Sequence, residues 1–454
     1  MMIIPAWLKK TFSVLSILWL VIFVCVTISV LGLRSYTQGN AVQGRQWLRF
    51  SSPVSFLLSR LTLRSIPLIE RWHLLHVLLL SDARFLVLLQ NTDEIRATGG
   101  FIGSYTVLDF GAPEPLRLEI RDMYNPSGIS MTLPSPPGQK EYLSEGKGMK
   151  LVDANWQPDF PTSAKQILQY FANIKGDPQQ YDGVIAITLP TIEQLVETLG
   201  GIYLADQQQT VTGDTLAAVM REDRNEFFAG SQEKEQSLQS FYTALKLRVS
   251  ELTWDEWQQI FRALKDNLAS EFQLFAHDAQ VKRSIHTARL DGVIKPYKAN
   301  EILLFPVESN VGINKANRKV TRDLTAQVLG NQFTVTTLFH NAFTENERPI
   351  ILVETNYDVA PHLSYVNYYR LLVRNDMTLT SITIDGQLVD QWDDEIIKSD
   401  VGIEYRQIGF LVVVPEESTV NVAVQFQLPQ LKRPRLLIQR QVGLKYQSMT
   451  ESIE

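Results

Sequence analysis

The sequence predicts one amino-terminal transmembrane helix, followed by an α/β domain and then by an all-β sandwich of immunoglobulin-like type. Residues 11–33 contain no charged side chain, which is typical of a membrane span. Between residues 82 and 298, short apolar runs of strand length alternate with segments of helical spacing, the pattern of an α/β domain. After residue 300 the helical spacing ends, and alternating β-branched and aromatic residues take over.

The composition excludes several classes of protein. The chain has 454 residues, with 43 lysines and arginines against 49 aspartates and glutamates, so its formal net charge is −6. No basic tract is present that could follow a nucleic-acid backbone, since phosphate contacts need clustered lysine and arginine. Cys25 is the only cysteine, which excludes an intramolecular disulfide bond and a thiolate metal cluster. At roughly 150 residues per domain, the length predicts about two or three domains.

The uncharged run from Thr11 to Leu33 is long enough to cross a bilayer. As a helix it extends about 34 Å at ~1.5 Å per residue, against a hydrocarbon core of about 30 Å. A cleaved signal peptide is the alternative, but the segment after Leu31 has no small-x-small cleavage pattern. We therefore expect an uncleaved single-pass anchor in the cell membrane. Residues 1–10 would be cytoplasmic, and the bulk of the chain, from Arg34 onward, extracytoplasmic.

A juxtamembrane linker, residues 34–81, is predicted to be helical. Apolar residues recur in it at three- and four-residue spacing, which marks one face of a helix: Ile66, Ile69, Trp72, Leu75 and Leu79. His73 and His76 lie on the same helix at a spacing that could share a metal ion, but no third ligand is near. We interpret them as packed or solvated histidines.

Local patterns predict the strands and helices of the α/β domain. Apolar or alternating runs indicate strands over residues 84–90, 101–110, 116–123 and 181–189. A proline in front of an apolar helical face predicts one helix that begins near Pro161 and another near Pro190. Thr253 and Glu256 form a capping-box pattern before a helical face that continues to Phe275.

The carboxy-terminal domain, residues 299–445, has the pattern of an immunoglobulin-like sandwich. Alternating runs predict about seven strands, over residues 319–329, 332–339, 365–373, 381–384, 410–414, 420–428 and 436–441. Gly330-Asn331 and Asp385-Gly386 are typical of tight hairpin turns. The tail, residues 446–454, is polar and is expected to be frayed.

Standard catalytic motifs are absent from the sequence. It contains no H-E-x-x-H, no C-x-x-C and no G-x-S-x-G, which excludes the hydrolase and zinc-site classes that carry them. Gly99, Gly100 and Gly103 cluster in front of a strand, whereas phosphate-binding glycine loops precede a helix. Two interpretations stay open for them: backbone amides that face an anion, or a turn that needs positive φ.

Charged residues follow the first and third predicted strands. Asp93 and Arg96 come after the first strand, and Arg121 and Asp122 come at the end of the third. Because ligands bind at the carboxyl ends of strands in open α/β sheets, we expect these side chains to meet at one rim. Arginine forks match phosphate or carboxylate, and aspartates bind Mg²⁺. Arg96 and Arg121 would then bind an anion, and Asp93 and Asp122 would hold the metal.

Two later arginines, Arg221 and Arg224, are further candidates for binding the same anion. Catalytic roles would fall on Arg96, Arg121 and Asp122, which could neutralise and orient a reacting phosphate. A salt-bridged surface is the alternative, since charge pairs of this kind usually have only that role.

Several segments of the chain are distinctive when read together: residues 91–105 (NTDEIRATGGFIGSY), 153–156 (DANW), 158–164 (PDFPTSA), 182–187 (DGVIAI), 308–317 (ESNVGINKAN) and 365–370 (YVNYYR). They resemble the bacterial membrane-protein family called domain of unknown function 4012, over most of the chain after the anchor. The resemblance implies a bacterial, envelope-associated protein. It implies no activity, because none is established for the family.

The order of elements is also similar to that of LytR-CpsA-Psr proteins. These are membrane-anchored enzymes that move glycopolymers from polyprenyl pyrophosphate to the bacterial cell wall with Mg²⁺. By that similarity, Asp93 matches the first acid of the family pattern and Arg96 the arginine before the second strand. The pair Arg121-Asp122 matches the arginine and aspartate after the third strand, and Arg221 and Arg224 stand for a later arginine pair.

Three positions depart from the LytR-CpsA-Psr pattern. Thr98 replaces a second acid, Ile120 replaces a proline, and Lys234 replaces an arginine. The fold can therefore be shared without the catalysis, because a Mg²⁺ ligand and a pyrophosphate contact are lost. Two functions stay open: a protein that binds or scaffolds a lipid-linked envelope glycan or phosphorylated ligand, and a Mg²⁺-dependent phosphotransferase or pyrophosphatase. Mg²⁺ is the one cofactor suggested, and the β domain is expected to contact a protein partner.

Overall fold

The computed structural model describes residues 6–61, 67–113, 119–123, 132–144, 146–174, 180–219, 232–264, 271–344, 346 and 364–454. Three helices come first in the chain: α1 (Ala6–Thr37), α2 (Ala41–Leu61) and α3 (Pro67–Leu80). Helix α2 packs against both α1 and α3. These helices therefore form a small bundle in front of the first sheet.

The predicted membrane span, residues 11–33, falls on α1. The side chains of residues 11–19 and 22 lie outside the described part of the chain. Among the side chains that are described, no helix contains a stretch both long and apolar enough to cross a membrane.

A mixed five-stranded sheet follows the bundle, in the order β3-β2-β1-β4-β7. The strands of this region are β1 (Arg84–Asn91), β2 (Phe101–Asp109), β3 (Arg121–Asp122), β4 (Gly183–Thr188), β5 (Ile202–Leu204), β6 (Gln209–Val211) and β7 (Phe272–Ala276). Strands β1 and β4 run parallel, whereas β2 and β7 pair antiparallel to them. Strands β5 and β6 form a separate hairpin.

Helices cover both faces of this sheet, as an α/β architecture requires. The remaining helices are α4 (Gln139–Tyr142), α5 (Phe160–Ala172), α6 (Leu189–Thr198), α7 (Gly213–Val219), α8 (Gln232–Ser250), α9 (Trp254–Leu264) and α10 (Ala279–Thr287). Leu86 and Leu88 of β1 point toward α5, while Phe85 and Val87 point toward α3 and α10. This alternation along β1 buries both of its faces.

Two further sheets pack around one hydrophobic core and form a β-sandwich. Their strands are β8 (Glu301–Asn310), β9 (Val320–Leu329), β10 (Gln332–Asn341), β11 (Tyr365–Arg374), β12 (Thr378–Ile384), β13 (Gln387–Leu388), β14 (Asp393–Lys398), β15 (Glu404–Val414), β16 (Ser418–Gln427), β17 (Arg435–Ile438) and β18 (Ser448–Ile453). One sheet has the order β13-β12-β16-β10-β9-β18, and the other has the order β14-β15-β11-β8-β17.

The strand order does not confirm the immunoglobulin-like prediction. In immunoglobulin domains the second and third strands lie in opposite sheets. Here the second and third strands of the sandwich, β9 and β10, pair directly as a hairpin in one sheet. The predicted turns are confirmed, since Gly330 and Gly386 both have positive φ at the tips of two-residue connections.

Three local predictions were wrong. The predicted helix does not continue to Phe275: α9 covers Trp254–Leu264 among the described residues, and Phe272–Ala276 is strand β7, whose apolar run is ambiguous between helix and strand. Strand β8 was missed, because it is buried on both faces and so lacks alternation. The tail is not frayed: β18 pairs in parallel with β9, and the Glu454 amide donates to the Val328 carbonyl at 2.9 Å.

Removal of the tail should therefore destabilise the sandwich. Truncation after Tyr446 takes away a strand and exposes the edge of β9, which costs at least about 2 kcal/mol at ~1 kcal/mol per backbone hydrogen bond. Denaturant unfolding of the purified chain measures this loss. Glu451→Ala, at an exposed position of the same strand, is the control and should leave stability unchanged. Equal stability of the truncated and full-length chains would contradict the assignment of β18.

Candidate functional site

The loop after β1, which carries the first of the distinctive segments, is inserted into the sandwich. Asn91 caps a short 3-10 helix, Thr92–Glu94, by accepting from the Asp93 amide at 3.1 Å. Ile95 then packs in the core between the two sandwich sheets, and Ala97 packs in a second apolar cluster of the sandwich. This loop therefore connects two folded units and does not form an open rim.

Gly99 and Gly100 close this loop with positive φ angles of 123° and 153°. A Cβ on Gly100 would lie 2.4 Å from the carbonyl oxygen of Asn91, closer than any side chain tolerates. Of the two interpretations of this glycine cluster, the structure supports the turn that needs positive φ.

Arg96 is the central charge of the inserted loop and is only 1% exposed. Its guanidinium donates to Glu94 Oε1 at 2.7 Å and to the Asn310 carbonyl of β8, and it lies 3.6 Å from Asp153 Oδ1. Burial raises the pKa of the Glu94 carboxyl, and the neighbouring Arg96 opposes that rise. The arginine therefore compensates a buried carboxylate and joins the α/β unit to the sandwich.

A second buried charge pair continues the network on the sandwich side. Glu308 accepts from Arg322 Nε at 2.6 Å and from the Tyr365 hydroxyl at 2.6 Å. Gln441 Nε2 donates to the carbonyls of both Arg96 and Glu308, at 2.8 and 2.9 Å. The two ion pairs are thus connected through one amide side chain.

Asn317, beside Arg322, extends the same contacts back to the α/β unit. Its Nδ2 donates to the Thr92 carbonyl at 2.6 Å, while its Oδ1 accepts from Arg322. The 3-10 helix after β1 is thereby fixed to the sandwich at Thr92, and beyond its other end the Asn310 amide donates to the Ile95 carbonyl at 2.9 Å.

Arg370 makes a third connection between the two units. Its guanidinium donates to the Trp156 carbonyl at 3.0 Å and to Ser309 Oγ at 2.9 Å, and it lies 4.7 Å from the Trp156 ring centre. Burial lowers the pKa of Arg370 to about 10. Nearby, Asn155 Nδ2 donates to the Gly100 carbonyl at 2.7 Å.

We call this buried network the joint and define it by four segments: residues 90–100, 153–156, 308–322 and 365–370. Most of the distinctive sequence segments therefore meet in space, although they are far apart in the chain. Sequence reasoning missed this, because Arg322 and Arg370 were read only as parts of strands and Glu308 only as part of a family segment. Polar residues at both ends of apolar strand patterns were the available signal.

Arg121 and Asp122, two further predicted site residues, lie on β3 and not in the joint. On the edge strand β3, Arg121 pairs with Tyr105 and Asp122 pairs with Ser104, so consecutive side chains point to opposite faces of the sheet. The Arg121 side chain is 50% exposed and donates to Glu119 at 3.0 Å, a hydrogen bond that raises the pKa of Arg121. Asp122 is buried. In this register the side chains of Arg121 and Asp122 cannot contact the same phosphate group.

The proposed metal ligands, Asp93 and Asp122, lie on different elements of the structure. Asp93 lies in the 3-10 helix of the joint, and Asp122 lies on β3. Across the described residues, no three aspartate, glutamate, histidine or cysteine side chains come together in a way that could hold a metal ion. Arg221 and Arg224, the remaining candidates, lie outside the described residues.

A cavity of about 600 Å³ lies between the helical bundle and the first sheet. His73 and His76 line it together with three aspartates, Asp82, Asp182 and Asp278. The aspartates already have protein partners: Asp82 pairs with Arg45 at 3.1 Å, Asp182 accepts from the Arg84 amide at 2.7 Å, and Asp278 caps α10. The polar groups of this cavity thus serve the fold.

His76 has both ring nitrogens engaged. One lies 2.9 Å from the Trp72 carbonyl and the other 2.8 Å from Ser51 Oγ. Burial lowers the pKa values of His73 and His76, so both rings favour the neutral form. The interpretation of packed histidines fits these contacts better than a shared metal ion.

Replacement of Arg96 should unfold the joint. In Arg96→Met the Glu94 carboxylate stays buried without its cation, at a cost of ~3–5 kcal/mol. Denaturant unfolding of the full chain, followed by tryptophan fluorescence, measures the loss. The double variant Arg96→Met with Glu94→Gln should recover part of it.

Arg121→Ala is the matched control for this experiment, since its ion pair with Glu119 is exposed and should contribute at most about 1 kcal/mol. Equal effects of the two arginine substitutions would contradict a structural role for Arg96.

Comparisons with known proteins test the resemblance to the family called domain of unknown function 4012. Residues 81–224 match the family model described as protein of unknown function (DUF4012). The segments at 308–317 and 365–370 lie outside that match. No curated protein matches the chain.

Solved structures that match about half of the chain do so with low scores. Protein gbs0355 of Streptococcus agalactiae is 14% identical, covering 46% of this chain and 73% of its own, with a TM-score of 0.29. Lin1025 of Listeria innocua is 15% identical, covering 49% and 85%, with a TM-score of 0.27. A LytR-Csp2A-Psr enzyme of Actinomyces oris is 14% identical, covering 46% and 76%, with a TM-score of 0.25. At these values no residue role is transferred. Over residues 81–224, the chain resembles the DUF4012 family, as its sequence segments predict.

Proposed function

We propose that this chain is a membrane-anchored protein of the bacterial cell envelope that binds or scaffolds a lipid-linked glycan or another phosphorylated ligand. Its envelope location rests on the uncharged run at residues 11–33 and on the family resemblance. Residues 82–298 would bind the ligand, and the sandwich, residues 299–445, would contact a protein partner.

The burial of Arg96 carries the choice of binding over catalysis. A guanidinium acts on a phosphate only at contact distance, and Arg96 is 1% exposed with its donors directed to Glu94 and Asn310. Displacement of those partners by a ligand would leave the Glu94 carboxylate buried and unpaired. Arg96, the central residue of the predicted transferase pattern, therefore has a structural role.

Among the predicted anion-binding residues that the structure describes, Arg121 is the one that solvent reaches. Its side chain is half exposed on an edge strand, and Glu119 competes for it. A phosphorylated headgroup that binds there would accept two hydrogen bonds from the guanidinium, where Glu119 accepts one, and would do so without assembling a reaction centre. The alternative, a Mg²⁺-dependent phosphotransferase, would need Arg96, Arg121 and Asp122 on one phosphate.

Binding and turnover separate the two functions. Purified full-length chain in detergent should bind polyprenyl pyrophosphate, and Arg121→Ala should weaken that binding by ~1.5–3 kcal/mol, the value of a charge-assisted hydrogen bond. Arg435→Ala, an exposed arginine of the sandwich, is the control and should bind normally. No phosphate release or glycan transfer is expected with Mg²⁺. Mg²⁺-dependent turnover that disappears in Asp122→Asn would establish the enzyme instead.

The topology follows from the same proposal. With the amino terminus in the cytoplasm, alkaline phosphatase fused after Glu454 should be active in cells, because that enzyme needs an oxidising compartment. A cytoplasmic reporter fused at the same residue should be inactive. The reverse pattern would contradict the single-pass orientation.

A further inference from the structure

The contact between α1 and α2 is made of small and polar residues. A Cβ on Gly32 would lie 2.9 Å from Leu48 Cγ, and one on Gly44 would lie 2.7 Å from the Gly32 carbonyl oxygen. Ser29 Oγ donates to Ser51 Oγ at 2.9 Å across the same interface. The two backbones therefore approach closely, and buried hydroxyl groups bond between the helices.

Large apolar side chains of the same two helices point outward. The exposed ones on α1 are Leu20, Val21, Phe23, Val24, Val26 and Leu31, and those on α2 are Val42, Trp47, Phe50, Phe56 and Leu57. Phe50 is 74% exposed, whereas Ser51, its neighbour in sequence, is 0% exposed. In water this arrangement is unfavourable, because the hydrophobic effect drives such side chains inward.

This inverted polarity is the pattern of helices that pack within lipid. Lipid tails supply no hydrophobic force between helices, so association there depends on close packing of small residues and on interhelical hydrogen bonds. Trp47 and the stems of Arg49 and Arg60 suit the headgroup region, where aromatic rings and long cationic side chains concentrate. The Arg60 guanidinium lies 5.1 Å from the Phe56 ring centre, along the apolar face.

We infer that α2 is a second membrane-contacting helix, whose outer face lies in the bilayer interface beside α1. The inference rests on the proposed anchoring by residues 11–33 and extends it to residues 41–61, which the sequence predicts only as a juxtamembrane linker. The occupant of the apolar face of α2 is lipid. Arginines on that face favour the interfacial depth over the hydrocarbon centre.

The position of the α/β unit follows from this arrangement. Tyr36 and Leu48 of the helical pair share a buried cluster with Phe85 of β1 and Ile285 of α10. The first sheet is therefore packed directly on the membrane-contacting helices. A ligand site on this unit would lie close to lipid headgroups, where a lipid-linked substrate is presented.

Spin labels can test the lipid contact of α2. In a Cys25→Ala background, single cysteines are introduced as Phe50→Cys and Leu57→Cys on α2, Leu31→Cys on α1 and Leu388→Cys on the sandwich, which is 76% exposed. The labelled full-length chain is reconstituted in phosphatidylethanolamine and phosphatidylglycerol vesicles. Collision rates with oxygen, which enters lipid, and with a water-soluble nickel chelate are compared, after circular dichroism has verified the fold.

Labels at residues 31, 50 and 57 should collide more with oxygen than with the nickel chelate, and the label at residue 388 should show the reverse. If residue 31 contacts lipid while residues 50 and 57 meet the chelate, the inference fails and the anchor stands. If all three meet the chelate, the anchoring proposal fails as well. Shielding of residues 50 and 57 from both reagents would indicate a protein partner or a second copy and would also overturn the inference.

Discussion

The buried guanidinium of Arg96 is central to the connection between the two units of this protein. It reaches from the loop after the central strand of the first sheet to the last residue of β8, and it compensates the carboxylate of Glu94 on the way. Both charges are removed from water, so neither is tolerated without the other. The position of the inserted loop, and with it the contact between sheet and sandwich, depends on this pair.

The joint around Arg96 is polar where most domain contacts are apolar. Hydrogen bonds are directional, so Gln441, Asn317 and Arg370 can satisfy their partners only when the sheet and the sandwich adopt one relative orientation. An apolar contact of the same size would tolerate sliding. Within the DUF4012 match, residues 91–100 and 153–156 therefore have structural contacts in the joint.

The α/β unit is held from two sides by opposite physical arrangements. On the sandwich side, charges are buried and paired within the protein. On the side of the helical bundle, Gly32, Gly44 and Ser51 are inside, and the apolar side chains of α1 and α2 face outward. With α1 and α2 against lipid, as we propose, the α/β unit would present a binding surface at a constant height above the bilayer.

The sequence alone determined the strands, helices and hairpins that depend on hydrophobic periodicity and turn residues, because both are local properties of the chain. The first and second strands of the α/β unit, the helices near Pro161 and Pro190, and the hairpins at Gly330 and Gly386 were all predictable, because each depends on residues close together in the chain. Buried strands such as β8 and β7 were missed or misassigned, since burial on both faces removes the alternation that identifies a strand.

Only the tertiary structure decided what the charged residues do. Arg96, Arg121 and Asp122 have the same sequence pattern that a phosphate site would have, yet strand register separates Arg121 from Asp122 and the sandwich encloses Arg96. Asn310, whose carbonyl accepts from Arg96, lies 214 residues away in the chain. The charge of a side chain is determined by the sequence, whereas its exposure and its partner depend on contacts between distant segments.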